Sequence, residues 1–270
     1  MITDGILIKD DVRCVQGDCL EVMKDIEDGS VDMILCDLPY GLGTTSCKWD
    51  KMIPIDRLWA EYKRIIKGNG AICLFGTEPF SSMLRTSNLE MFKYDWIWVK
   101  NNSIGFVNAK KKPMNKHEII SVFSKGICAN TPRKDRDMPY YPQGLKPTHY
   151  VKKPLKSESA RTKENTYYRP SHKEVVVEWT NYPTTILNFN VDRNHLHPTA
   201  KPVALLEYLI KTYTKEGGLV LDNCAGSFST GVACMNTDRA FIGIEKEERY
   251  FNIGVERLTK YKEELSERLF

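Results

Sequence analysis

Short apolar runs that alternate with stretches of helical periodicity constrain this 270-residue chain more than any other feature. Val31–Cys36 is apolar at every position but Asp32, and Ala71–Phe75 is apolar throughout. A strand with one wet face alternates polar and apolar residues, whereas a strand covered on both faces need not. Val12–Gln16, Tyr94–Val99, Glu118–Phe123, Leu219–Asp222 and Ala240–Ile244 read as further strands. Helical patterns lie between them. Cys19–Glu27 is one, stopped near Gly29. Pro54 opens a second, in which Ile55, Leu58, Trp59, Tyr62, Ile65 and Ile66 recur at helical spacing until Gly68 ends it. Thr77 is placed to cap a short helix through about Leu84. Pro202 opens another with Leu206, Leu209, Ile210 and Tyr213 on one face, a further helix runs to about Met235, and a terminal helix carries Phe251, Val255, Leu258 and Leu265. The alternation predicts an α/β fold: a doubly wound, mostly parallel, Rossmann-like sheet with helices on both faces.

From about 129 to 183 the regularity lapses, and seven prolines punctuate a segment dense in Lys, Arg and Tyr. The charge is uneven to match. Residues 100–173 hold 17 Lys and Arg against 5 Asp and Glu, while the remainder holds 22 against 30. A basic block in an acidic scaffold is a candidate for binding a polyanion; a solvated, lysine-rich loop is the blander alternative. The expected division is therefore 1–128, an inserted basic region at 129–190, and 191–270. No apolar run reaches the length of about 18 residues that a membrane span needs, and the start of the chain has neither a basic leader nor an apolar core. The eight cysteines include no Cys-x-x-Cys pair, and several sit in apolar runs. That pattern predicts buried free thiols in a reducing, cytoplasmic setting rather than a disulfide frame or a zinc site.

Two clusters carry chemistry. Asp37-Leu38-Pro39-Tyr40-Gly41 directly follows an apolar strand, at the sheet edge where open α/β folds bind ligands. Pro39 biases Leu38 to an extended conformation, so the Asp37 carboxylate and the Leu38 carbonyl can converge as two acceptors beside the Tyr40 ring. That set suits a planar base bearing an amino group; a plain strand-ending turn is the alternative. The second cluster runs from Val220 to Gly231, where a strand ends in Asp222 and a small-residue turn, Cys224-Ala225-Gly226-Ser227, leads into a helix. It has no phosphate-gripping lysine and no G-x-G-x-x-G, so a neutral or zwitterionic adenosine cofactor fits it better than a nucleoside triphosphate. About twenty residues on, Glu245 ends the next strand, where a carboxylate can accept from ribose hydroxyls.

Together these segments resemble the amino-methyltransferases of DNA, in particular the circularly permuted class often called β, of the adenine-N6 type. There a catalytic Asp-Pro-Pro-Tyr comes early, target recognition follows and the cofactor loop comes late. Gly17-Asp18-Cys19-Leu20, Asn115-Lys116-His117-Glu118 and His197-Pro198-Thr199-Ala200-Lys201-Pro202 are further matching pieces in the same order. The resemblance covers nearly the whole chain except about 130–190, and makes that insertion the target-recognition region. It implies S-adenosylmethionine as cofactor, no metal, and duplex DNA with the target base flipped out as partner. Asp37 and Leu38 would hold the amine, Pro39 would stiffen the turn, and Tyr40 would stack on the base. Asp18 and Cys19 would meet the cofactor's adenine end, Asp37 and Asp222 would border the same site, and Glu245 would take the ribose. His197, Thr199 and Lys201 would line the methionine side, with Ala225, Gly226 and Ser227 approaching it through their backbone. Lys110, Lys111, Lys112, Lys134, Arg136, Lys152, Lys153, Arg161 and Arg169 are candidates for phosphate contacts. Dimerisation is common in the class, which puts a homodimer among the expected assemblies. The sequence departs from the pattern at Leu38, where the commonest motif has proline, and at Phe228, where glycine is usual; phenylalanine is strained there if the position needs positive φ. RNA adenine or DNA cytosine-N4 methylation, or an inactive DNA-binding relative, are the alternative readings.

Overall fold

The computed structural model describes residues 5–9, 11–41, 50–129, 136–153, 174–192 and 200–267. In chain order its elements are β1 (Ile6–Lys9), β2 (Val12–Gln16), α1 (Cys19–Val22), β3 (Val31–Cys36), α2 (Ile55–Ile65), β4 (Ile66–Gly76), α3 (Phe80–Ser87), β5 (Phe92–Ile104), β6 (Asn115–Phe123), β7 (Lys146–Lys152), β8 (Val175–Thr180), β9 (Ile186–Asn188), α4 (Val203–Tyr213), β10 (Leu219–Asp222), α5 (Ser229–Asn236), β11 (Ala240–Glu245) and α6 (Glu248–Glu267). Among the described residues nine strands form one sheet in the order β1-β2-β11-β10-β3-β4-β6-β5-β9. The five from β2 to β4 are parallel. An antiparallel β1 closes one edge. The antiparallel pair β5–β6, with β9 parallel to β5, closes the other.

The apolar runs follow from this layering. Met33 and Leu35 of β3, with Ala71, Cys73 and Phe75 of β4, enter one core together with α4, α5 and α6. Ile34 and Cys36, with Ile72 and Leu74, enter the other beneath α1, α2 and α3. Each large apolar side chain so buried contributes roughly 1.5–3 kcal/mol, which leaves little room for polar residues on either face. Three local expectations shift. The helix predicted over Cys19–Glu27 is shorter and tightens into a 3-10 turn at Met23–Asp25. Gly68 lies within β4, because the chain passes straight from Ile65 into extended backbone. Helix α3 starts at Phe80, and Thr77 contributes its carbonyl, accepting from Ser81 N at 3.0 Å, rather than a side-chain cap.

Two compact units result: residues 1–141 with 185–270, and residues 142–184. The smaller one is narrower than the 129–190 read from the sequence. Residues 136–141 are held by the larger unit through Ile127 N to Arg136 O (2.8 Å), Met138 N to Ile127 O (3.0 Å) and Tyr141 N to Thr212 O (2.8 Å), and Ile186–Asn188 joins the main sheet as β9. Within the smaller unit β7 and β8 pair antiparallel. The β-branched run Val175-Val176-Val177 drives that pairing, although the surrounding prolines and charges suggested irregular chain.

Candidate active site

Strands β3 and β10 lie side by side, Val220 opposite Met33 and Leu221 opposite Ile34. From there the chain diverges: β3 continues through α2 to β4 on one side, and β10 through α5 to β11 on the other. Such a reversal opens a crevice beyond the strands' carboxyl ends. A cleft of about 1080 Å3 brings together Asp18, Cys19, Asp37, Leu38, Pro39, Tyr40, Lys201, Asp222, Ala225, Gly226, Ser227 and Glu245.

Asp37 stands at the centre of a charged chain. Its Oδ2 accepts from Lys201 Nζ at 2.5 Å, and its Oδ1 accepts from Tyr40 Oη at 3.2 Å. The same ammonium lies 3.4 Å from Glu118 Oε2, a contact without hydrogen-bond geometry. The other Glu118 oxygen pairs with Lys100. A fifth of the Asp37 side chain is open to the cleft, yet burial pushes its carboxyl above the usual range against the pull of Lys201. Burial opposes charge on Lys201 as well, but Asp37 and Glu118 together raise its pKa. The ammonium thus has carboxylates on two sides, the partners that a cation this buried needs. The Tyr40 ring stacks on Phe80 at 4.6 Å with the planes 21° apart. Glu118, Lys100 and Phe80 were not assigned from the sequence; the Asn115–Glu118 segment was the one available signal.

The second half of the cleft is a loop held from below. Asp222 is buried, accepting from Cys224 N at 3.2 Å and from Thr230 Oγ1 at 2.6 Å. Its oxygens shape the loop itself. Glu245 accepts from Gly226 N at 2.7 Å and from Glu247 N at 2.8 Å. Arg257 of α6 donates to Ser227 O at 3.1 Å and Ser229 Oγ at 2.9 Å, while Tyr62 of α2 donates to Asn223 Oδ1 at 2.5 Å. Phe228 does adopt positive φ (56°), and its buried ring packs against Phe241 and Phe251. At the far end Asp18 caps α1 through Leu20 N (3.0 Å) and accepts from Lys246 (3.0 Å).

Burial pushes the Asp222 carboxyl up to about 6 from an ordinary 3.8, against the hydrogen bonds from Thr230 and Cys224. The folded chain therefore holds this proton more tightly than the unfolded one. Ionisation opposes folding, and stability drains away as pH rises from about 4 through about 6, by at most about 3 kcal/mol. Asp222→Asn cannot ionise. Its Tm relative to wild type should climb across that interval and level off above it; a difference independent of pH, measured by thermal melts at several pH values, would contradict this account.

Lys110, Lys111, Lys112, Arg136, Lys152 and Lys153 are exposed. Lys112 lines the cleft; Lys152 and Lys153 belong to the smaller unit. His197, Thr199, Lys134, Arg161 and Arg169 lie outside the described residues. No helix among the described residues is long and apolar enough to cross a membrane.

The chain is 29% identical over 256 residues to the DNA adenine methyltransferase YhdJ of Escherichia coli (strain K12), covering 90% of this chain and 81% of that protein. It is 27% identical over 264 residues to the type II methyltransferase M.HpaI of Haemophilus parainfluenzae, covering 92% and 74%. Among solved structures it is similar in fold to the M1.HpyAVI–SAM complex (TM-score 0.59, 23% identity, 92% of this chain and 98% of that one). It is likewise similar to the cytosine-N4-specific PvuII DNA methyltransferase (TM-score 0.61, 14% identity, 94% and 92%). The N6/N4 methyltransferase family model, described as DNA methylase, matches residues 31–256, and with that span reaching from β3 into α6 the chain belongs to the DNA methylase family.

Proposed function

We propose that this protein transfers a methyl group from S-adenosylmethionine to the N6 amine of an adenine swung out of duplex DNA. One observation carries the reading: Asp37 and the Ala225–Ser227 loop, from strands adjacent in space, line one cleft. The cleft suits that cofactor. Its carboxylates outnumber its lysines two to one, which favours a sulfonium and ribose hydroxyls over a phosphate-bearing group. Its volume of about 1080 Å3 slightly exceeds the ~300–1,000 Å3 usual for one small-molecule site, so cofactor and base fit together. Glu245 would accept from the ribose hydroxyls, Asp18 and Cys19 would meet the adenine end, and the Ala225–Ser227 backbone would approach the methionine part. When bound, the cofactor supplies an electrophilic methyl group on a positively charged sulfur.

The chain's own residues prepare the nucleophile. The amine of adenine is weakly nucleophilic because its lone pair is delocalised into the ring. In our reading the Asp37 carboxylate and the Leu38 carbonyl accept hydrogen bonds from its two N–H groups and favour a pyramidal nitrogen with the lone pair freed. Lys201 and Tyr40 hold the two Asp37 oxygens and so fix the carboxylate before the base arrives, the kind of preorganisation that lowers a barrier. Tyr40, backed by Phe80, offers its ring to the base; stacking of roughly 1–3 kcal/mol offsets part of the few kcal/mol that flipping costs. The exposed lysines and Arg136 supply phosphate contacts, and the insertion recognises the target. The name of the relative YhdJ, an adenine methyltransferase, supports the choice of base.

The test is transfer of labelled methyl from S-adenosylmethionine to duplex DNA, single-stranded DNA and RNA, followed by nucleoside analysis. Label in N6-methyldeoxyadenosine from the duplex is expected. Label in N4-methylcytosine or in RNA would move the substrate, and no label in any nucleic acid would remove the reading.

A further inference from the structure

The hairpin β5–β6 carries a feature that the chemistry above does not use. Residues 101–114 are exposed without interruption, and at the tip of this loop Phe106 is 80% and Val107 95% exposed. Large apolar groups held in water at this level mark an interaction surface when they are contiguous, and Ile104 (51%) and Met114 (37%) extend the patch. The loop is built rather than slack. Gly105 turns the chain at φ +93°, a conformation that favours glycine. Behind it Asn108 N bonds Gly105 O (3.0 Å), Ala109 N bonds Phe106 O (3.0 Å), and Lys111 N and Lys112 N bond Asn108 O (2.8 and 3.0 Å). The apolar pair is thus presented on a short, hydrogen-bonded turn, and little ordering entropy remains to be lost on contact.

Its surroundings say what it meets. Lys110, Lys111 and Lys112 follow directly, all exposed. Ile104, Gly105, Lys112 and Met114 form part of the cleft wall, and Asn115 at the base of the loop is three residues from Glu118, which pairs with Lys201 beside Asp37. An apolar tip followed by three cations, at the mouth of a cleft that takes a base out of a duplex, fits DNA from two sides. The lysines face phosphates, while the tip faces the gap that an extrahelical base leaves in the stack. A second copy of this chain is a poorer occupant, since a two-fold contact centred on the tip would set one lysine triad against the other. Resting on the methyltransferase reading, we infer that Phe106 and Val107 are a wedge that enters the DNA at the target step and holds the flipped state open. Apolar wedges between base steps are a general means of compensating unstacking.

The experiment compares the full-length wild type with the Phe106→Ala/Val107→Ala double variant and with Leu89→Ala, a 67% exposed leucine just after α3, as control. The sequence methylated by the wild type is first mapped on its own product. Duplexes carrying that sequence are then made in two sets: one with 2-aminopurine at the target position, for fluorescence alone, and one that keeps the target adenine, with or without an abasic site opposite it, for methylation rates. The double variant should lose most of the 2-aminopurine fluorescence rise and methylate the intact duplex about 10- to 100-fold more slowly, the scale of a lost contribution to flipping. Its KM for S-adenosylmethionine should be unchanged. On the duplex with the abasic site, where pairing no longer resists flipping, its rate should return close to that of wild type, and Leu89→Ala should match wild type throughout. A double variant with full fluorescence and full rate overturns the wedge. So does a slow variant with no rescue on the abasic duplex, or one whose loss tracks a change from dimer to monomer in sedimentation. A wild type silent on every DNA would remove the reading of DNA as the substrate, and the wedge with it.

Discussion

Asp37→Ala is expected to lower methyl transfer to duplex DNA by roughly 100- to 1000-fold, the loss typical of deleting one preorganised group at a reacting centre. Affinity for S-adenosylmethionine should stay close to that of wild type. The size of the effect follows from how the carboxylate is held. Lys201 at 2.5 Å and Tyr40 at 3.2 Å fix its two oxygens, so the acceptor offered to the amine is already oriented. The fold should survive the change, because Lys201 retains Glu118 as a counter-ion. Asp37→Asn sharpens the test: it keeps the shape and one acceptor but removes the charge, and should also be severely slowed. Single-turnover methyl transfer, with cofactor affinity measured by calorimetry, separates the two effects. Turnover near wild type in Asp37→Ala would sink the assignment of the acceptor.

The second large effect is expected behind the proposed cofactor loop. A Cβ added at Gly254 in α6 would sit 2.0 Å from Phe228 Cδ2 and 2.9 Å from its Cγ. The Phe228 backbone is held at φ 56° at the start of α5, and its ring is enclosed by Phe241 and Phe251, so it has nowhere to retreat. Gly254→Ala should cost about 3 kcal/mol as overpacking, or roughly 6–12 °C in Tm for a domain of this size. It should also raise the KM for S-adenosylmethionine, because Phe228 follows Ser227 in the proposed cofactor loop. In a Phe228→Ala background the sign should reverse. With the ring gone, alanine replaces glycine inside a helix and should stabilise by about 0.5–1 kcal/mol. Denaturant melts of the four proteins measure the coupling. An equal cost of Gly254→Ala in both backgrounds would mean that the ring is not what the glycine accommodates.

Phe228 also marks the limit of what linear reading can reach. The sequence pointed to strain there, and the backbone does adopt positive φ. The socket that accommodates the ring is assembled from Gly243 and Gly254, which lie on a later strand and a later helix, so no local pattern announces it. Lys201 is a similar case. Its motif was visible, but its ammonium settles between Asp37 and Glu118 because the fold brings three distant segments to one buried corner. The smaller unit was the least legible part, since its β-branched strands are short and sit among prolines and charges that mask their periodicity.

Residue order alone dictated the layers of the larger unit. Runs such as Val31–Cys36 and Ala71–Phe75 can satisfy their side chains only between two sheets of helices, and the alternation of elements makes the sheet parallel at its centre. The adjacency of β3 and β10 was beyond its reach. These strands are separated by almost two hundred residues, and their pairing depends on long-range hydrogen bonds and shared cores rather than on any neighbouring sequence. Because they do pair, an early acid and a late loop face one cleft, and a chain of ordinary composition gains a place for chemistry.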